Sequence, residues 1–171
     1  LVARKLDDLR RDEAPGLVAV EDPGEVRGAV EHEVHLRRRR AEAVLDLGGD
    51  AAIDAYGNLV ATFVAVGCEG VEPILLSCHG DTVNPGVGIE PVLTDGVIRS
   101  KGDTILGADD KAGIAEVLEA LQVAPIRPPI EFAVSRQEEV GLLGVKELDF
   151  DRLTARRGFL MDNDTLDTII I

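Results

Sequence analysis

Residues 74–81 read Ile74-Leu75-Leu76-Ser77-Cys78-His79-Gly80-Asp81. The first five are apolar or small without alternation, and the run closes on an imidazole, a glycine and a carboxylate. A short continuous apolar run of this kind predicts a strand buried on both faces, as in a parallel sheet covered by helices. Two similar runs lie downstream, IEFAVS at 130–135 and GFLM at 158–161. Between the first and second run, residues 111–123 predict an apolar helix, followed by a proline-rich joint at 125–129. Strands alternating with helices predict an α/β fold with a mostly parallel sheet flanked by helices.

The remaining segments fit around that frame. Residues 1–13 place Val2, Leu6 and Leu9 on one helical face, and Pro15-Gly16 ends it. A second helix is predicted from Asp22-Pro23, where Asp22 can cap and Glu25 can reach back, to Gly48-Gly49. Within it Arg37 to Arg40 read as a solvated basic face beside Glu33 and Glu42. His32 and His35 share a helical face but lack the HExxH spacing of a zinc peptidase helix, so no metal is assigned to them. AIDAYGNLVATFV predicts a hairpin or bent strand turning at Tyr56-Gly57-Asn58, and PVLTDGVIRS a hairpin with Asp95-Gly96 at its tip.

Composition sets limits on function. The chain has 171 residues, 45% of them hydrophobic, enough for one core. Its 32 Asp+Glu against 18 Lys+Arg give a formal charge of -14, which argues against nucleic acid or an anionic membrane as partner and favours cations. No apolar run is long enough to span a membrane, and the charged start is unlike a signal peptide. Cys68 and Cys78 are read as free thiols in a reducing compartment, so the expected location is cytoplasmic.

Ligands of open α/β sheets bind beyond the carboxyl ends of the strands. Past the three runs stand His79 and Asp81, then Glu138 and Glu139, then Asp162; Asp109-Asp110 open the helix that follows the hairpin. One such carboxylate is usually a cap or a turn residue. Gathered at one edge they would repel unless a cation neutralised them, which predicts a metal site. Imidazole with carboxylates suits zinc, with cobalt or manganese as substitutes. Two such ions about 3.5–4 Å apart, bridged by a carboxylate, are an arrangement that hydrolyses amides. One aspartate of the pair would bridge and the other would cap the helix.

Three blocks, SCHGDTVNPGVGIEP, DGVIRSKGDTILGADDKAGIAEVLEAL and SRQEEVGLLGVKELD, carry a family resemblance. Together they resemble the peptidase T-like branch of the co-catalytic zinc exopeptidases, a group of tripeptidases, carboxypeptidases and aminoacylases. The likeness runs from about Asp54 to the end of the chain. It implies a zinc-exopeptidase-like catalytic domain with two zinc ions per complete site. His79 then corresponds to a metal ligand oriented by Asp81, Asp109 to the bridging carboxylate with a cis peptide after it, and Asp110 to its capping neighbour. Glu138 corresponds to the general base, Glu139 to a ligand of the second metal, and Asp162 to a ligand of the first. The implied reaction is hydrolysis of short peptides near the N-terminus, Glu138 moving a proton from water to the leaving amine.

The family places one further metal-binding histidine after a lid or dimerisation domain, and this chain holds only His32, His35 and His79. Residues 165–171, TLDTIII, read as a strand in progress. The whole of 1–171 is therefore expected to be the N-terminal portion of the catalytic domain, truncated before the lid and inactive alone, with any homodimer formed through that lid. The expected first site keeps His79, Asp109 and Asp162, and the second only Asp109 and Glu139. Three other readings share these residues: a deacylase or dipeptidase, a glutamyl-type aminopeptidase, and a non-catalytic module that binds metal or peptide. An intact Asp81 and Glu138 argue against the last, because a binding module needs no general base.

Overall fold

The structure is a computed structural model and describes residues 23–163 and residue 165. The helix expected over 1–13, the Asp22 cap and all but the first residue of the strand expected over 165–171 lie outside the described residues.

Helix α1 spans Pro23–Asp46, with proline at its first position as a helix start allows. Gly48, at φ 80°, donates its N–H to the Leu45 carbonyl at 3.0 Å, and Gly49 donates to Val44 at 3.0 Å. Those two bonds make a Schellman ending and satisfy carbonyls that the last turn leaves open. A Cβ on Gly49 would lie 2.6 Å from the Phe63 ring, so only glycine lets the chain turn there against the core.

Strands β1, Asp50–Ile53, and β2, Leu59–Phe63, form the expected hairpin. Strand β3 is Ile74–His79. A separate two-stranded sheet follows, β4, Pro91–Thr94, paired with β5, Val97–Ser100. Asp95 and Gly96 at its tip both have positive φ, 52° and 77°, the geometry that an Asp-Gly hairpin turn favours. Helix α2 spans Ala108–Val123, strand β6 Ile130–Ser135, the short helix α3 Leu143–Lys146 and strand β7 Gly158–Leu160.

The main sheet has the order β1-β2-β6-β3-β7. β3, β6 and β7 are parallel, and β2 joins β6 antiparallel, bringing β1 with it. The fold is α/β as expected, with a sheet more evenly mixed than a mostly parallel one. The cause is the tight turn between β1 and β2: a connection that short permits only antiparallel pairing, whereas the parallel strands are joined by long crossovers.

The core lies between this sheet and helices α1 and α2. Ala41 and Val44 of α1, Phe63, Cys78, Phe132 and Val117 are fully buried in one cluster with Leu121 and Ile114. On the other side of β6, Ala133 packs with Val60 and Leu148. Glu131 is buried as well, and its carboxylate accepts the N–H groups of Thr154 and Ala155 at 2.9 and 3.0 Å and the Thr154 hydroxyl at 2.6 Å. This satisfied carboxylate fixes the segment that leads into β7. Cys68 and Cys78 are free thiols. Among the described residues no helix is long and apolar enough to cross a membrane.

Candidate metal centre

Because β3, β6 and β7 run parallel, their carboxyl ends share one edge, and the residues just beyond them meet there. His79 closes β3 and is 2% exposed. Its Nε2 lies 2.9 Å from Oδ1 of Asp109, and its Nδ1 lies 3.5 Å from Oδ1 of Asp81. Burial disfavours the imidazolium, yet the two carboxylates outweigh it and push the His79 pKa up to about 9.

Asp81 does more than flank the ring. Its Oδ1 accepts the Glu138 N–H at 3.0 Å and its Oδ2 the Glu139 N–H at 3.1 Å. Burial opposes its ionisation, but the His79 ring and these two backbone donors hold its pKa below the usual carboxylate value. One carboxylate therefore ties the end of β3 to the loop that follows β6.

Asp109 and Asp110 are joined by a cis peptide, and neither has helical backbone angles, so α2 becomes regular only from Lys111. The carboxylate of Asp109 is 68% exposed and faces His79. Asp110 is buried, with Oδ2 accepting the His79 N–H at 3.2 Å and Oδ1 lying over Gly113, where a Cβ would be 2.2 Å away. Asp110, the residue expected to cap the helix, stands just before its regular part, and the bond its carboxylate makes there pins the backbone of His79. Burial pushes the pKa of Asp110 up, and burial together with the Asp110 charge pushes up that of the neighbouring Cys78 thiol.

Asp162 follows β7. Its pKa is raised by burial and then by the charge of Asp109. That of Glu138 is raised by burial and by the charges of Asp162, Glu139 and Asp81, with His79 opposing. Ligand atoms of His79, Asp109 and Glu139 all lie within 4.8 Å of one another, and so do those of His79, Glu138 and Asp162. All six side chains expected at the site, Asp81 included, gather at this edge. The grouping differs from the expected division, since Glu139 falls with His79 and Asp109, and Glu138 falls with His79 and Asp162.

The donor set, one imidazole among carboxylates, is of a kind that can hold a divalent ion, and the pKa values of Glu138 and Asp162 are raised first by burial and then by neighbouring negative charge.

Several contributors were not legible as such in the sequence. The Arg37 to Arg40 run is not a uniform solvated face: Arg37 is 7% exposed, and Arg40 donates from Nη2 to the Gly80 carbonyl at 2.6 Å. Arg38 pairs with Glu42 and Arg39 with His35 on the outer side. Four consecutive residues on a helix point around most of its circumference, so some of any such run must face inward. Lys111 donates to the Asp81 carbonyl at 3.1 Å and to the Thr82 hydroxyl, and its pKa is lowered by burial and by Arg40. Asn58, read only as a turn residue, is fully buried next to the loop of Glu138 and Glu139.

No family model matches the chain. It is 38% identical over 137 residues to the uncharacterized protein YqjE of Bacillus subtilis, covering 75% of this chain and 36% of that protein. It is 40% identical over 128 residues to Peptidase T of Escherichia coli, covering 64% of this chain and 31% of the relative. Among solved structures, aminopeptidase PepT from Bacillus cereus superposes with a TM-score of 0.71 at 34% identity, over 96% of this chain and 43% of that one. The chain thus spans about a third of the length of the curated relatives it matches.

Proposed function

From the premise that this chain is a relative of the peptidase T-like branch of the co-catalytic zinc exopeptidases, we propose that its sheet edge is the metal-dependent hydrolytic half of a short-peptide exopeptidase. The observation that carries this reading is the buried His79 held between Asp81 and Asp109, with the backbone of Glu138 and Glu139 hung on Asp81. His79, Asp109, Glu139 and Asp162 would hold two zinc ions. Bound zinc supplies a Lewis acid that polarises the peptide carbonyl and lowers the pKa of water.

The protein's own groups do the rest. Asp81 orients the imidazole, the carboxylate–histidine pairing by which outer groups fix a metal ligand. Glu138 takes a proton from water and returns it to the leaving amine. Its raised pKa brings it nearer to the working pH, where a group that must both accept and donate is most effective. The 171 residues form the N-terminal portion of that catalytic domain. This chain covers 43% of PepT, and a complete site would need the substrate grip and the further metal-binding histidine that the family resemblance implies. Its free thiols accord with a cytoplasmic setting.

Glu138→Gln in the full-length protein tests the assignment. Tripeptide hydrolysis should fall by about 10²–10⁴-fold while the zinc content stays unchanged. Undiminished hydrolysis would overturn the role of Glu138, and a chelator-insensitive activity would overturn the metal.

A further inference from the structure

We infer that Asn58 is a positioning residue that clamps both ends of the loop bearing Glu138 and Glu139. The loop runs from Arg136, directly after β6, to Gly144 in α3. Asn58 is 0% exposed. Its Oδ1 accepts the Arg136 N–H at 3.1 Å, at the loop's entry, and its Nδ2 donates to the Gly144 carbonyl at 2.9 Å, at the exit. The second hydrogen of the amide goes to Oδ2 of Asp54 at 2.8 Å. Each atom of the carboxamide is thereby committed, and two of its three bonds go to the ends of one loop.

The clamp is itself held. Oδ1 of Asp54 accepts the N–H groups of Tyr56, Gly57 and Asn58 at 3.0, 2.8 and 2.8 Å, which shapes the β1–β2 turn and aims Asn58 at the loop. The Tyr56 hydroxyl adds a bond to Oε1 of Gln137, and the Arg136 guanidinium donates to the Tyr56 carbonyl at 3.0 Å.

The loop responds as one unit because it is bonded to itself. The Glu138 carbonyl accepts Gly141 and Leu142 at 3.0 and 2.8 Å, and the Gln137 carbonyl accepts Leu143 at 3.0 Å. Gln137 and Leu142 both have positive φ, 55° and 59°. Side chains disfavour that conformation, which persists only where the surroundings enforce it. The two ends also approach closely: a Cβ on Gly144 would lie 1.9 Å from the Arg136 carbonyl oxygen. With its ends fixed by Asn58, the middle of the loop presents the Glu138 and Glu139 N–H groups to Asp81. The turn between two antiparallel strands thus reaches the chemistry through the Asn58 amide, with Tyr56 in support.

The consequence for catalysis rests on the proposed roles of Glu138 and Glu139, whereas the clamp itself can be judged without them. Hydrogen exchange and zinc titration on the full-length protein are compared for the parent, Asn58→Ser and Tyr56→Phe. In Asn58→Ser, exchange over residues 137–143 should accelerate by at least about tenfold while residues 130–135 of β6 stay protected. Zinc affinity should drop by about 10–100-fold, the usual cost of losing a group that orients ligands. Tyr56→Phe, which removes one hydroxyl, should give the same local pattern at smaller amplitude, and it decides the matter if Asn58→Ser does not fold. Unaltered exchange over 137–143 in the folded variants, or acceleration spread evenly over β2, β3 and β6, would overturn the clamp. A parent chain that takes up no zinc would overturn the metal reading and leave the exchange comparison to decide the clamp.

Discussion

A buried imidazole between two carboxylates keeps its proton well beyond neutrality, and the pKa of about 9 at His79 follows from that setting. The sign of its contribution is definite. A group whose folded pKa lies above its unfolded value stabilises the fold below the unfolded value, about 6.5 for histidine, and loses that contribution as pH rises through the folded value. The metal-free chain should therefore lose His79-linked stability between about pH 6.5 and 9, and denaturant titrations across that window would show it. Since a metal takes neutral imidazole, binding near pH 7 should expel a proton, and apparent affinity should climb by up to about tenfold per pH unit towards pH 9. Calorimetry in buffers of different ionisation enthalpy measures the proton count; a count of zero at pH 7 would rule out His79 as a ligand. At this scale the sequence disclosed the chemistry-bearing residues, because an imidazole or carboxylate directly after an apolar run is visible as text. Asn58, Arg37 and Arg40 escaped notice because their importance comes from which way they face. Position in a turn or in a basic run is silent on that.

The start of α2 shows how tightly an element's terminus can be packed around a carboxylate. A Cβ at Gly113 would meet Asp110 Oδ1 at 2.2 Å and Met161 Cβ at 2.7 Å. Alanine gains about 1 kcal/mol over glycine in helix propensity, while forcing a methyl into a filled site costs about 1–3 kcal/mol. Steric conflict should win, because neither neighbour is free to give: Asp110 is bound to the His79 N–H and Met161 to the Ser77 carbonyl. Gly113→Ala is thus expected to be destabilised on balance by up to about 2 kcal/mol in urea unfolding, with weaker zinc binding. A more stable variant would show that the helix start yields easily. The elements themselves were largely readable, since Asp95-Gly96, Gly48-Gly49 and the unbroken runs at 74–78 and 130–135 each carry a local signal. Strand order was not, because no local pattern says that β6 pairs with both β2 and β3.

For the molecule as a whole, the formal charge of -14 and the crowd of carboxylates at one edge lead to the expectation that a divalent ion would stabilise the fold. Zinc at 100 times its Kd should add about 2.7 kcal/mol, which for a chain of this size is a rise of about 5–10 °C in Tm. Differential scanning calorimetry with zinc, and again after chelation, reads this directly, and an unshifted transition would argue against a site formed in the native state. The sheet order has a further consequence for biosynthesis. A nascent chain emerging in order has made β2 and β3 long before β6, the strand that separates them, has left the ribosome. Until residue 135 appears, both carry open edges with no native neighbour between them, the exposure that invites aggregation. Joining the two halves of this sheet during translation must wait for one late strand, and a polypeptide stalled before it would be a client for chaperones.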